Sequence, residues 1–89
     1  MESESGMATE TEIQEVKGRH EATLLKKANV VGLGVGYKER CGRKTDQLSL
    51  VVLVKQKVPR SQLRPEDAIP PEIEGVPTDV QEVGEIWAL

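Results

Sequence analysis

The chain is expected to fold as a small α+β domain of order α-β-β-(short helix or turn)-β, with a β-hairpin and a helix packed on the sheet. Three observations predict it. Val31, Leu33, Val35 and Tyr37 alternate with Gly32, Gly34 and Gly36, the period-two pattern of a strand. A second run, Leu48, Leu50, Val52 and Val54 with Val51 and Leu53 between them, is apolar on both faces at its centre, as an interior strand is. Ahead of both, Val16, His20, Leu24 and Ala28 fall at helical spacing, with Leu25 beside them.

With 89 residues there is room for one domain. Residues 1–13 are rich in Glu, Ser and Thr, have little to bury, and are expected to be disordered. The domain is then residues 14–89. Its helix is expected over residues 14–28, with Lys26 and Lys27 in the last turn complementing the helix dipole. Gly18 weakens its first turns.

The glycine strand follows with almost no loop. Glycine weakens a strand, so three at period two point to another backbone or a ligand lying close against that face. Which face the helix covers is open at this point, and the smoothness of the glycine side favours that one. Residues 38–47 are polar, carry Gly42, Thr45 and Asp46, and read as a hairpin connection. The second strand spans residues 48–58 and is antiparallel to the first.

Val58-Pro59 stops that strand. Residues 61–63 suit a turn of helix, and Pro65-Glu66-Asp67 suits a helix start with proline in its first turn. Ile69-Pro70-Pro71 forces extended backbone, and Leu63 and Ile73 are the expected core anchors here. Gly75 precedes a third strand over residues 76–83, in which Pro77 either marks a sheet edge or limits pairing at the strand's start. The terminal Ile86-Trp87-Ala88-Leu89 is apolar and either docks on the sheet or contacts something outside.

Composition narrows the chemistry. The net charge of −3, dispersed Lys and Arg, and a single Tyr and Trp argue against a nucleic-acid binder. No apolar run approaches the ~20 residues of a membrane span, and the acidic N-terminus is unlike a secretory signal, so a cytoplasmic location is expected. One cysteine, Cys41, permits no intrachain disulfide and no multi-cysteine zinc site.

The glycines do not form a phosphate cradle. G-x-G-x-x-G started at Gly32 needs glycine at Tyr37, and started at Gly34 needs it at Glu39. His20, alone of its kind, reads as a helix boundary residue, and neither Ser49 nor Ser61 sits in a nucleophile context. Cys41 lies in a basic loop with Lys38, Arg40, Arg43 and Lys44, which favours a thiolate; an exposed thiol without a role is the plainer reading. Glu66, Asp67, Glu72 and Glu74 form a solvated acidic rim without calcium-loop spacing. No catalytic, metal or cofactor residues are therefore assigned. The candidate interaction surface is Gly32, Gly34, Gly36, Arg40, Arg43, Lys44 and Trp87.

The run Ala28-Asn29-Val30-Val31-Gly32-Leu33-Gly34-Val35-Gly36-Tyr37-Lys38 joins a larger pattern. It continues in Gly42 and Thr45, Leu50-Val51-Val52, Lys57-Val58-Pro59 and Ile69-Pro70, then Gly75-Val76-Pro77-Thr78-Asp79-Val80 and Glu82-Val83-Gly84. Together these resemble the N-terminal region of bacterial proteins that carry a downstream trypsin-like serine-peptidase domain. In such proteins the catalytic His, Asp and Ser lie beyond this region, so the resemblance implies none of them here. It implies an accessory, non-catalytic interaction module whose partner is a peptidase-like domain, or which forms a homo-oligomer. The other expectation, from the residues alone, is a small-ligand or anion site on the glycine face beside the basic loop.

Overall fold

The structure is a computed structural model that describes residues 8–83. Its first element is helix α1, Glu10–Leu25. The start is set by a reciprocal cap: Thr9 Oγ1 accepts from the Glu12 amide at 3.1 Å, and the Thr9 amide donates to Glu12 Oε1 at 2.9 Å. Glu10 and Glu12 add negative charge where the helix dipole is positive. The helix thus begins four residues ahead of the expected residue 14, and Ile13, placed by sequence in a disordered tail, has 0% of its surface exposed. Gly18 does not delay the helix.

The helix also ends early, at Leu25 rather than residue 28. Asp67 Oδ1 accepts from the Ala28 amide at 2.9 Å, and Asn29 takes a positive φ of 78°, turning the chain into the sheet. Lys26 and Lys27 consequently sit just past the last turn. The buried stripe is Ile13, Val16 and Leu24, while His20 is half-buried and Leu25 is exposed.

Strands β1, Val30–Arg40, and β2, Arg43–Val54, make an antiparallel hairpin. The expected polar connection over residues 38–47 is mostly strand. The turn is only Cys41-Gly42, both at positive φ (54° and 79°), the geometry of a type I′ turn whose twist matches that of the paired strands. Two irregularities, between Val30 and Gly32 and between Tyr37 and Glu39, bound a regular stretch in which Gly32 pairs with Leu53 and Tyr37 with Leu48. Thr45 Oγ1 donates to the Lys38 carbonyl at 2.8 Å within the second of them. β2 stops at Val54, before the expected residue 58. There the Lys55 amide donates to the Asn29 carbonyl at 3.0 Å, and the Asn29 side chain accepts from the Gln56 amide and donates to its carbonyl.

Two short 3-10 turns, Arg60–Gln62 and Pro65–Asp67, carry the chain to β3, Glu72–Ile73, and β4, Val76–Glu82. β4 runs parallel to β2 and antiparallel to β3, giving the order β1-β2-β4-β3. Pairing of β4 with β2 begins at Thr78, because Pro77 has no amide to contribute; there proline limits the start of the ladder. β2 is interior, as its two-sided apolar pattern predicts.

One helix packed on a four-stranded mixed sheet is the α+β class expected, but the helix lies on the other face. Ile13, Val16 and Leu24 form one core with Leu50, Ile73 and Val76, joined by Leu33, Val35, Leu48 and Ile69. Leu33 pairs with Val52 and Val35 with Leu50, so this face is opposite the glycines. The physical reason is area. Burial of apolar surface stabilises at roughly 25 cal/mol per Å². Leu33 and Val35 offer that surface, whereas three glycines offer almost none.

Candidate functional site

Gly32, Gly34 and Gly36 share a face with Leu53, Val51 and Ser49, their partners on β2. A Cβ at Gly32 would meet Leu53 Cδ1 at 3.4 Å, and one at Gly36 would meet Val51 Cγ2 at 3.4 Å, both ordinary contact distances. A Cβ at Gly34 would have nothing within 4 Å. The close approach of a backbone that the glycine spacing predicts is therefore not supplied by the helix or any other described element.

Arg40 and Arg43 pair directly across the Cys41-Gly42 turn, with Lys44 next to them and its Nζ 4.0 Å from Glu39 Oε2. All three basic residues are exposed, as is the Cys41 thiol. Gly36 is four residues from Arg40, about 13 Å along a strand, so the basic tip and the glycine face are separate features. Trp87 lies outside the described residues.

Between them, Lys38 reaches across β2 and donates from Nζ to the Thr78 carbonyl at 3.0 Å. Asp79 Oδ2 accepts from the Glu39 amide and from Gln81 Nε2, both at 2.9 Å. This polar bridge folds the turn end of β1 back towards β4. It joins residues 40 apart in the chain, which no local pattern announces.

The other missed cluster ties α1 to the β3–β4 turn. Arg19 Nη2 and Nε donate to the two oxygens of Glu74 at 2.7 and 3.3 Å, and His20 Nε2 lies 2.7 Å from Glu74 Oε2. Hydrogen bonds from Arg19 and then His20 hold the Glu74 carboxyl down at about 2, and the same contact raises the Arg19 guanidinium. Glu74-Gly75, both at positive φ (52° and 82°), is the only cue in the sequence, and it marks a turn rather than a partner. Among the described residues no three of His, Cys, Asp and Glu gather to hold a metal ion. No described helix is long and apolar enough to cross a membrane.

A half-open cavity of about 230 Å³ lies at the far end of the hairpin, on the helix side, lined chiefly by Val30, Val54, Val58, Leu63, Ile69 and Val80. At its polar margin Asp67 holds Ala28, Asn29 holds Gln56, and Lys57 lies beside them. It offers a mainly apolar recess.

Against models of protein families the chain finds no match, and none is found among curated proteins.

The two edges of the sheet differ. The β3 edge is two residues long and preceded by Pro70-Pro71. The β1 edge is eleven residues long, and its segment Val31–Tyr37 has no charge and no proline. Among the described residues, the ladder to β2 and the Ser49 hydroxyl on the Gly36 carbonyl hydrogen-bond this segment. Sheet proteins ordinarily blunt such edges with charge, proline or shortness. β3 is blunted in that way, and the Val31–Tyr37 stretch of β1 is not.

Proposed function

We propose that this chain is a non-catalytic interaction module that associates by strand addition at the open edge of β1, and that it acts beside a trypsin-like peptidase in the cytoplasm. The observation that carries the reading is the contrast of edges: a long outer strand with an uncharged stretch over Val31–Tyr37 against a two-residue one preceded by two prolines. Main-chain groups along such a strand give affinity to any extended segment that pairs with them. The peptidase association is supported by the residues from Ala28 to Gly84 that resemble the region preceding such a domain. The anion-site reading has less support, since the basic tip and the glycine face are about 13 Å apart.

The test is Gly34→Lys. Lysine on an outer strand is a natural block to strand addition, and the open space at Gly34 leaves the fold room for it. Partners retained by the immobilised wild-type chain, including added copies of itself, are expected to be lost with Gly34→Lys and kept with Gly18→Lys, at an exposed helical site. Retention unchanged by Gly34→Lys removes the edge as the functional surface.

A further inference from the structure

We infer that the occupant of the β1 edge is β1 of a second copy of this chain, paired antiparallel about Gly34. The two four-stranded sheets then become one of eight strands, with both helices on the same side. This rests on the reading of β1 as an association edge and names what fills it.

Three features of the strand lead there. The regular stretch between the two irregularities, Gly32 to Tyr37, is long enough for a ladder and carries no charge. Pairing about Gly34 sets Leu33 opposite the partner's Val35, and Gly32 opposite the partner's Gly36. The glycine side of the joint then has no side chains to clash, and the other side is aliphatic. Just beyond the regular stretch, Val31, in the irregularity between Val30 and Gly32, comes to the partner's Tyr37. Those two are the exposed large apolar residues of β1, at 38% and 48%, and this register covers each with the other, twice by symmetry. Aromatic–β-branched pairs are among the favourable cross-strand contacts.

Neighbouring registers fail on the same residues. Centring on Leu33 sets Tyr37 against the partner's Asn29, and centring on Val35 sets Val31 against the partner's Glu39. The Gly34 register instead brings Lys38 to the partner's Val30 and Glu39 to the partner's Asn29, so no like charges are opposed. Of these three alignments, the one centred on Gly34 sets both exposed apolar residues against each other.

The experiment combines mass and cross-linking. Light scattering is expected to give twice the chain mass of 9.8 kDa, and Tyr37→Lys, at an exposed site, to return it to one. In a Cys41→Asn background, Gly34→Cys is expected to form an interchain disulfide under mild oxidation. Directly opposed antiparallel residues have Cα atoms about 4.5–5.5 Å apart, inside the disulfide range of about 4.4–6.8 Å. Asp46→Cys, exposed on β2, is the control expected to stay uncrosslinked. Circular dichroism confirms that each variant folds. A dimer lacking the Gly34→Cys cross-link puts the contact elsewhere and overturns the register. A monomer at all concentrations overturns self-pairing; if Gly34→Lys still abolishes capture of another protein, the edge function stands without it. A monomer indifferent to Gly34→Lys removes both.

Discussion

Ile13→Ala tests whether the helix truly begins ahead of the expected start. Ile13 is fully buried in the core with Val16, Leu24, Leu50, Ile73 and Val76. The substitution removes three carbons, worth about 0.8 kcal/mol each on transfer, or about 2.4 kcal/mol together. The residual cavity adds to this, and core isoleucine-to-alanine changes span about 2–5 kcal/mol, so about 3 kcal/mol is expected. A chain of this size has a total stability of only about 4–13 kcal/mol. The change should lower Tm by about 12–24 °C, at 4–8 °C per kcal/mol for a small domain. Urea titration followed by circular dichroism measures it, with the midpoint falling and the slope unchanged. A loss below about 0.5 kcal/mol, the size of a surface substitution, would refute docking of the first turn and restore the tail reading of residues 1–13.

Two further outcomes follow from geometry. Glu74 titrates at about 2 in the folded chain against an ordinary 4.5, so its contribution is fully present above about 4.5 and is lost as pH falls towards 2. The stability difference between wild type and Glu74→Gln should therefore be largest above pH 4.5 and shrink through that window; urea midpoints showing a constant difference down to pH 2 would sink the account. Gly34→Ala should raise stability by about 0.4–1 kcal/mol, because the Cβ meets nothing and the unfolded chain loses freedom. Gly42→Ala, at φ 79°, should lower it by about 1–2 kcal/mol in the same thermal assay; equal effects at both glycines would contradict the difference in their backbones.

Period-two patterning was enough to place β1, β2 and the interior position of β2, because side-chain alternation is a direct image of burial. Pro77 was likewise informative, since a missing amide left an edge or a late start of pairing, and strand order decided for the second. The helix start was legible but unread: Thr9 and Glu12 have capping-box spacing, obscured by a composition typical of disorder. Cys41 gave no warning of a two-residue turn, as cysteine is not a usual occupant of positive φ. The face chosen by the helix was misjudged because glycine spacing reports room, while docking follows apolar area. The Arg19–Glu74 contact joins residues 55 apart in the chain, and no local pattern encodes such a pair. Of the candidate surface, sequence located the glycine strand and the basic tip; that β1 is an outer strand emerged only once strand order was known.

The parallel pairing of β2 with β4 has a kinetic consequence. The β1–β2 hairpin closes over two residues and needs nothing beyond Val54. Helix α1, by contrast, rests on Ile73 and Val76 as well as the hairpin, and β2 has bare main-chain groups on one side until Thr78–Glu82 arrives. Loop closure across the intervening segment is therefore expected to complete the burial of the helix, which rests mainly on β1 and β2, although the helix is made first. During synthesis the glycine hairpin would wait, half-clothed, with two open sides instead of one. Pulse-labelled amide exchange would register this as early protection in the hairpin and late protection, in step, at the two ends of the chain's core. The last strand, not the first helix, completes the domain.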